Sequence, residues 1–228
     1  MTASQTYRVG TRASPLALAQ SELFCAALAR AVPGVTVTLV PITTSGDRIQ
    51  DRVLGDAGGK GLFVKEIEAA LLAGTVDWAV HSMKDLPAEL PAGCAIGCIP
   101  ARLNYEDVLV TPRGMGLRGL KPGAVLGTSS LRRRMQLSRL RPDLRFAPLR
   151  GNIDTRVKKM TEGVCDGVVL ARAGLLRLKL AVPHMERLPI LPAPGQGCLA
   201  VEIRAGDERV RELLEKVHDA ATDRAVRA

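Results

Sequence analysis

Residues 127–134, Gly-Thr-Ser-Ser-Leu-Arg-Arg-Arg, mark a change from strand to helix in the middle of the chain. The preceding apolar run, residues 124–126, is typical of a short buried strand, and Met135, Leu137 and Leu140 follow with helical spacing. Small hydroxyl residues at such a turn leave backbone N–H groups free at the helix start, which also carries partial positive charge. The sequence therefore predicts a strand-to-helix turn that suits an anion.

Three adjacent arginines at residues 132–134 strengthen this interpretation. On a helix they point in directions about 100° apart, so one or two can face a ligand while the third is solvated or pairs with an acid. The alternative is an ordinary helix N-cap followed by a solvated basic face. The stretch alone does not decide between the two.

Composition and charge narrow the class of partner. The chain has 228 residues, enough for one large or two medium domains, with 46% apolar and 3% aromatic residues, as in ordinary soluble α/β proteins. The formal net charge of +9 favours an anionic partner: nucleic acid, anionic lipid, or a small polycarboxylate or phosphate. Arginines cluster at 132–134, 139–145 and 150–156 without interleaved aromatic residues, which favours a local pocket over a nucleic-acid track.

The remaining composition predicts a cytoplasmic protein without a metal. The sequence has five cysteines at unpatterned spacings and three isolated histidines, so reduced thiols and no zinc site are expected. Residues 1–7 are polar and lack the apolar core of a signal peptide. No apolar run approaches the length of a membrane span.

The first part of the chain places three polar residues near strand ends. Residues 7–11 are predicted to be a strand, and Ser14 with Pro15 is a strong helix start. Arg12 then lies at a strand end beside a helix N-terminus, where ligands bind in open α/β sheets, although it can equally be a surface arginine. Residues 78–80 are predicted to be a buried strand leading to Asp85, which is either the one acid among the basic residues or a capping aspartate.

Residues 44–61 are predicted to be a flexible lid. Its end, Gly-Gly-Lys-Gly at residues 58–61, resembles a phosphate loop, but the glycine spacing is wrong and Gly61 stands where Ser or Thr should be. We therefore expect a lid that carries one lysine, Lys60, between a strand at residues 35–39 and an amphipathic helix at residues 63–71.

Two interruptions of the pattern, at residues 100–105 and 183–197, predict two lobes joined by paired crossings. Residues 198–203 then return to complete the first lobe. In the second lobe, strands ending near Leu149 and Ala171 precede helices that bear Arg156 and Arg177, so basic residues of both lobes are expected to face one cleft. A charged helix is predicted from Gly206 to the last residue.

Six motifs together resemble the porphobilinogen deaminase (hydroxymethylbilane synthase) family. They are TRASPLALAQ, GGKGLFVKEIE, AVHSMKDLP, LGTSSLRRR, LRGNIDTR and PGQGCLAVE, in the family's order and spacing over nearly the whole chain. The resemblance implies an α/β fold of two type II periplasmic-binding-protein-like lobes followed by a small third domain. Domain 1 would be residues 1–99 with 197–216, domain 2 residues 104–192, and residues 217–228 would begin a helix leading to domain 3, which is expected to be absent here.

The resemblance also implies a reaction and a set of site residues. The reaction is the head-to-tail condensation of four porphobilinogens, each losing ammonia, into linear hydroxymethylbilane. Asp85 matches the family's catalytic acid. Arg12, Ser14, Arg150, Arg156 and Arg177 would bind the incoming substrate. The dipyrromethane cofactor and the growing oligopyrrole would be held by Lys60, Ser82, Lys84, Thr128, Ser130, Arg132 and Arg133, whereas Arg134 would be solvated.

Three departures from the family pattern are present. The family attaches dipyrromethane to a cysteine in a Gly-Gly-Cys motif of the third domain, and none of the five cysteines here lies in such a motif. The chain would then be a truncated product, a fragment, or half of a split enzyme. Asp56 replaces a usual lysine four positions before Lys60, and the first crossing keeps only Arg102 and Asp107 of a longer charged pattern.

These observations favour the enzyme and leave two alternatives open. A non-catalytic two-lobed binder of pyrrole polycarboxylates would use the same cleft without turning its ligand over. Nucleic-acid binding by the basic surface is disfavoured by the clustering of the arginines. The expected partners are porphobilinogen and oligopyrrole polycarboxylates, with no nucleic acid or membrane, in a monomer or with a separate chain that supplies domain 3.

Overall fold

The computed structural model describes residues 5–48 and 63–228, and the chain divides into two compact units. Unit 1 consists of Met1–Leu103 and Cys198–Ala228, and unit 2 of Asn104–Gly197. The domain limits expected from the sequence remain predictions. In the structure, residues 217–228 belong to unit 1.

Both strands and helices are present in each of the two units. The strands are β1 (Gln5–Arg12), β2 (Val35–Ile42), β3 (Trp78–Ser82), β4 (Cys94–Cys98), β5 (Asp107–Val110), β6 (Val125–Gly127), β7 (Arg145–Ala147), β8 (Gly167–Ala171), β9 (Met185–Arg187) and β10 (Leu199–Arg204). The α-helices are α1 (Pro15–Ala31), α2 (Ser45–Arg48), α3 (Lys65–Leu72), α4 (Leu131–Leu140), α5 (Ile153–Thr161), α6 (Arg172–Arg177), α7 (Glu208–Glu215) and α8 (Ala220–Arg227). Short 3₁₀ turns occupy Met83–Asp85 and Leu117–Gly119.

Unit 1 is built on a five-stranded sheet in the order β2-β1-β3-β10-β4. β1 pairs in parallel with β2 and β3, whereas β10 is antiparallel to β3 and β4. Its largest core cluster includes Trp78, Phe24, Leu28 and Leu214, all buried. Because the returning strand β10 lies between β3 and β4, the chain after the second crossing completes this sheet.

Unit 2 repeats the arrangement with the order β7-β6-β8-β5-β9. β6 is parallel to β7 and β8, and β5 is antiparallel to β8 and β9. One core cluster contains Leu109, Leu126 and Leu137, and another contains Met160 and Leu175. The α/β fold class expected from the sequence is confirmed in both units.

The helix that supports the start of unit 1 begins as predicted. Ser14 is the N-cap of α1, its Oγ accepts a hydrogen bond from the Ala17 N–H (3.4 Å), and Pro15 is the first helical residue. A capping hydroxyl satisfies a backbone donor that the helix cannot, and proline has no N–H to satisfy. The C-terminal end of β1 is thereby fixed beside the start of α1.

Other sequence predictions differ from the structure. The single helix predicted after Gly206 is wrong, because the chain forms α7 and α8 with Lys216–Asp219 between them, and Asp219 caps α8 through the Thr222 N–H. β4 and β9 were not predicted. Most of the predicted lid lies outside the described residues, and its first part is the short helix α2. No helix in the described parts of the chain combines the length and apolarity needed to cross a membrane.

Candidate active site

The strand-to-helix turn at residues 127–134 is present in unit 2. β6 ends at Gly127, and α4 begins at Leu131 with Ser130 as its N-cap. Ser130 Oγ accepts a hydrogen bond from the Arg133 N–H (3.4 Å), and Thr128 Oγ1 accepts one from the Ser130 N–H (3.2 Å). The backbone N–H groups of Leu131 and Arg132 have no partner within the described chain. The helix start therefore keeps donors for an anion.

Two of the three arginines at this helix start bind one buried carboxylate. Arg133 is buried, and its Nε and Nη2 donate to Asp107 Oδ1 at 3.0 and 2.6 Å. Arg132 Nη2 donates to Asp107 Oδ2 at 2.7 Å, and the Arg132 side chain remains 26% exposed. Burial raises the pKa of Asp107, but the charge and hydrogen bonds of Arg133, with hydrogen bonds from Arg132 and Gln196, lower it below its ordinary value.

The third arginine of the run, Arg134, is exposed, with its guanidinium 6.0 Å from the Phe146 ring centre. From the sequence we expected one of the three arginines to be solvated or to pair with an acid, whereas in the structure two of them pair with Asp107. That pairing was not predicted, because Asp107 is distant in sequence and was noted only as part of the first crossing.

The other basic residues predicted for unit 2 are all half-buried. Arg150 follows β7, and Arg156 on α5 donates from Nε to the carbonyl oxygen of Gly151, the residue after Arg150, at 2.8 Å. Arg177 ends α6 and donates from Nη2 to the Gly197 carbonyl oxygen at 2.8 Å. Arg156 is thus bonded to the turn that follows Arg150, while Arg177 is bonded to the last residue of the unit.

Arg12 in unit 1 is held by its neighbours. Its guanidinium forms an ion pair with Asp47 and lies 4.3 Å from the Phe63 ring centre. Burial raises the pKa of Asp47, but hydrogen bonds from Arg12 and Thr44 lower it below its usual range. A cation held between a carboxylate and an aromatic face is fixed in position, yet the Arg12 side chain remains 24% exposed.

The predicted catalytic acid, Asp85, lies just after the end of β3. Ser82 is the last residue of β3, and its hydroxyl pairs with the Gln20 amide, which donates from Nε2 at 2.9 Å. Lys84 and Asp85 follow on the 3₁₀ turn and are both exposed. The Asp85 carboxylate forms no hydrogen bond or ion pair with residues 5–48 or 63–228. It does not cap a helix in this part of the chain, so the capping alternative has no support among these residues.

Lys60, predicted to hold cofactor, and Asp56 lie outside the described residues. The remaining predicted residues fall into a unit 1 group and a unit 2 group. The unit 1 group is Arg12, Ser14, Ser82, Lys84 and Asp85; the unit 2 group is Thr128, Ser130, Arg132, Arg133, Arg150, Arg156 and Arg177.

Comparison with known proteins decides the family. Residues 7–212 match the family model described as "Porphobilinogen deaminase, dipyromethane cofactor binding domain". Porphobilinogen deaminase of Syntrophotalea carbinolica is 54% identical over 99% of this chain and 72% of its own length; that of Syntrophobacter fumaroxidans is 52% identical over 97% and 72%. The chain belongs to the porphobilinogen deaminase family.

Solved structures support the same fold. An ancestral cationic amino acid solute binding protein superposes with a TM-score of 0.59 at 18% identity, covering 97% of this chain and 94% of that one. A periplasmic substrate-binding protein of an ABC transporter from Coxiella burnetii superposes with a TM-score of 0.58 at 16% identity. The match covers 97% of this chain and 95% of that one. At such identities the likeness concerns fold alone, and it confirms the predicted two-lobed, periplasmic-binding-protein-like class.

One buried polar cluster of this porphobilinogen deaminase family member was missed from the sequence. His81 Nε2 on β3 lies 3.0 Å from Glu202 Oε2 on β10, with the two side chains 5% and 0% exposed. The contact has ion-pair distance without hydrogen-bond geometry. Burial raises the pKa of Cys94 to about 12, and Glu202 adds to the rise. An acid inside the apolar strand sequence LAVEI was the available signal.

Four of the five cysteines have raised pKa values, which leaves them little nucleophilic character: Cys25, Cys94, Cys98 and Cys165. Cys98, Cys165 and Cys198 are buried, and burial raises the pKa of Cys25 and Cys98 to about 12. Since the thiolate is the reactive form, a raised pKa makes these thiols poor nucleophiles. In the described parts of the chain, no three His, Cys, Asp or Glu side chains come together as a metal-binding group.

Proposed function

We propose that this chain is a hydroxymethylbilane synthase, which condenses four porphobilinogens stepwise into hydroxymethylbilane with loss of ammonia. The observation that carries the proposal is the family match over residues 7–212, which spans every predicted site residue. Identity of 54% to a porphobilinogen deaminase over 99% of the chain supports the same activity. The site geometry in each unit is compatible with its chemistry.

The proposed substrate contacts are cationic because porphobilinogen carries an acetate and a propionate. Arg150, Arg156 and Arg177 of unit 2 are proposed to bind these carboxylates, together with Arg12 and Ser14 of unit 1. All four arginines are half-buried, so ion pairs with them are screened less than at an open surface. An ion pair at 4 Å is worth about 4 kcal/mol at an effective dielectric near 20, before desolvation is subtracted.

Asp85 is the proposed catalytic acid. When the aminomethyl C–N bond breaks, ammonia leaves and positive charge is shared between the methylene carbon and the pyrrole nitrogen. A carboxylate that accepts a hydrogen bond from that N–H stabilises the charge as it develops. The α-carbon of the next pyrrole then forms the C–C bond and loses a proton, which the same carboxylate can accept. The support from the structure is that Asp85 is exposed and has no partner among the described residues.

The residues at the start of α4 fit an anionic dipyrromethane. We propose that Thr128, Ser130, Arg132 and Arg133 hold it in unit 2, and Lys60, Ser82 and Lys84 hold it in unit 1. The guanidinium groups of Arg132 and Arg133 and the single carboxylate of Asp107 together carry a net positive charge. The two backbone N–H groups at the start of α4 are also available as donors. When bound, dipyrromethane supplies the primer to which the first pyrrole is joined.

A second candidate function is a non-catalytic binder of pyrrole polycarboxylates. The observation that favours it is the state of Cys25, Cys94 and Cys98, because desolvation raises their pKa values to about 12, which does not suit attachment of a cofactor through a thioether. The absence of a disulfide among the described cysteines is compatible with the proposed location in the cytoplasm. A monomer is compatible with either function.

The two functions are separated by one assay. Purified protein is incubated with porphobilinogen, and both its consumption and the uroporphyrin obtained after oxidation are measured. The synthase predicts consumption with uroporphyrin formation, whereas the binder predicts that porphobilinogen binds and persists. Intact-protein mass spectrometry of the same sample reports whether a dipyrrole is attached.

A further inference from the structure

Asp107 occupies a central position in unit 2. It is the first residue of β5, its side chain is 0% exposed, and it lies four residues after the boundary between Leu103 and Asn104. Its carboxylate accepts hydrogen bonds from three side chains: Arg132, Arg133 and Gln196. A buried carboxylate with so many donors is fixed in one orientation.

Arg133 links this carboxylate to the sheet. In addition to its two bonds to Asp107, its Nη1 donates to the Val169 carbonyl oxygen on β8 at 2.8 Å. Its backbone N–H is bonded to the Ser130 cap. The first turn of α4 is therefore attached to β5 and β8 through a single side chain.

Arg132 is held from two sides while part of it stays exposed. Nη2 donates to Asp107, and Nη1 donates to the Leu191 carbonyl oxygen. The backbone of Leu191 is itself bonded to both ends of the Gln136 amide, at 2.7 and 3.1 Å. The guanidinium cannot rotate freely, so little further side-chain entropy is lost when it binds an anion.

Gln196 binds the same carboxylate and lies on the last segment of unit 2. Its Nε2 donates to Asp107 Oδ1 at 3.0 Å and to the Tyr105 carbonyl oxygen at 2.8 Å. Gln196 precedes the boundary between Gly197 and Cys198. The segments of unit 2 that adjoin both boundaries thus meet at Asp107.

We propose that Asp107 is a positioning residue for anion binding at the start of α4, acting through Arg132. It holds the Arg132 guanidinium in the orientation that accepts a ligand carboxylate. The proposal rests on the proposed function only in taking dipyrromethane, which carries acetate and propionate groups, as the ligand at this helix start. The competing explanation is a purely structural ion pair, which would affect folding but not ligand affinity.

The test measures the affinity for free dipyrromethane by calorimetry, and porphobilinogen consumption separately. Asp107→Asn keeps the shape of the side chain and removes its charge, and we expect affinity to fall at least tenfold. Asp143→Asn is the matched control, because Asp143 also binds an arginine, Arg141, but its side chain is 36% exposed whereas that of Asp107 is 0% exposed. The control is expected to bind dipyrromethane within twofold of wild type.

A double-mutant cycle with Arg132→Gln tests whether Asp107 acts through Arg132. In the Arg132→Gln background, Asp107→Asn is expected to weaken binding by less than a further twofold. Full additivity of the two losses, or wild-type affinity in Asp107→Asn, would overturn the inference. If Asp107→Asn does not fold, the double variant Asp107→Asn, Arg133→Gln removes both buried charges and is expected to fold and still bind at least tenfold more weakly; wild-type affinity there would also overturn the inference.

The outcomes for the proposed function are distinct. Wild-type protein that binds dipyrromethane but does not consume porphobilinogen contradicts the synthase, while the inference is still decided by the affinity ratios. Wild-type protein that consumes porphobilinogen without binding dipyrromethane overturns the inference alone, and protein that does neither overturns both.

Discussion

Glu68 lies where a negative charge is costly. It is 8% exposed, and its Oε1 has no hydrogen-bond partner among the described residues. Burial, followed by the nearby Glu202 charge, raises the pKa of Glu68, although His81 and Lys65 oppose the rise. A carboxyl group whose pKa is raised on folding contributes most stability below its unfolded pKa and loses that contribution as pH rises through the folded value.

We therefore expect Glu68→Gln to stabilise the protein at neutral pH. The variant should raise the midpoint of thermal unfolding by roughly 2 °C at pH 7, because the neutral amide removes the cost of ionisation. The gain should shrink towards pH 4, near the unfolded pKa of about 4.3. Thermal unfolding of both proteins at several pH values checks this, and an equal gain at all pH values would contradict it.

The contribution of Asp107 to stability has the opposite dependence on pH. Its pKa is lowered in the folded protein, so its contribution is present above the unfolded pKa of about 3.9 and is lost as pH falls towards the folded value. Asp107→Asn leaves Arg133 buried without its carboxylate, which should cost about 3–5 kcal/mol of unfolding free energy at pH 7. Denaturant unfolding from pH 7 to pH 3 should show this difference declining below about pH 4. A difference independent of pH would mean that the charge of Asp107 does not matter.

At the scale of elements, helix starts were predictable and weak strands were not. Ser14 with Pro15 and the turn before Leu131 carry local signals that act within a few residues. β9 has three residues, two of them charged, and β4 lacks an apolar alternation, so neither stands out until the sheet pairs them. The break before α8 did have a local signal, because Asp219 is a good N-cap, but the charged pattern on both sides concealed it.

The end of β6 depends on a residue without a side chain. A Cβ on Gly127 would lie 2.8 Å from Leu149 Cδ2, 3.0 Å from Cys165 Sγ and 3.2 Å from Val168 Cγ1. Gly127→Ala should therefore destabilise the protein by about 1–3 kcal/mol through overpacking. Thermal or denaturant unfolding measures the loss.

Gly119→Ala is the matched control, since its Cβ would meet only Met115 Cβ at 3.9 Å. This substitution should be neutral or stabilising by up to about 1 kcal/mol. Equal effects of the two substitutions would show that the packing around Gly127 is not limiting.

At the scale of the whole molecule, the fold class followed from the order of strands, helices and breaks. The partners inside each unit could not be predicted in the same way. Asp107 and Arg133 are 26 positions apart, and His81 and Glu202 belong to strands that become neighbours only when the returning chain completes the sheet. Pairings of this kind depend on tertiary register, which local patterns do not encode.

The excess of basic residues predicts how ligand binding responds to salt. With a net charge of +9 and partly exposed arginines, the Michaelis constant for porphobilinogen should rise several-fold between 50 and 500 mM sodium chloride, as screening increases. The turnover number should change little, because the charge that develops in the reaction is met at short range by Asp85. Steady-state kinetics in both buffers check this. A Michaelis constant insensitive to salt would contradict a binding site based on ion pairs.

The central claim is that the Asp85 carboxylate stabilises the cation formed when ammonia leaves. The most direct measurement is the turnover number for porphobilinogen of Asp85→Asn against wild type, with thermal unfolding as a control for folding. Asparagine keeps the shape and removes the charge, so turnover should fall by two or more orders of magnitude, about 3 kcal/mol or more in the barrier, with the unfolding midpoint unchanged. Turnover within a few-fold of wild type would contradict the claim.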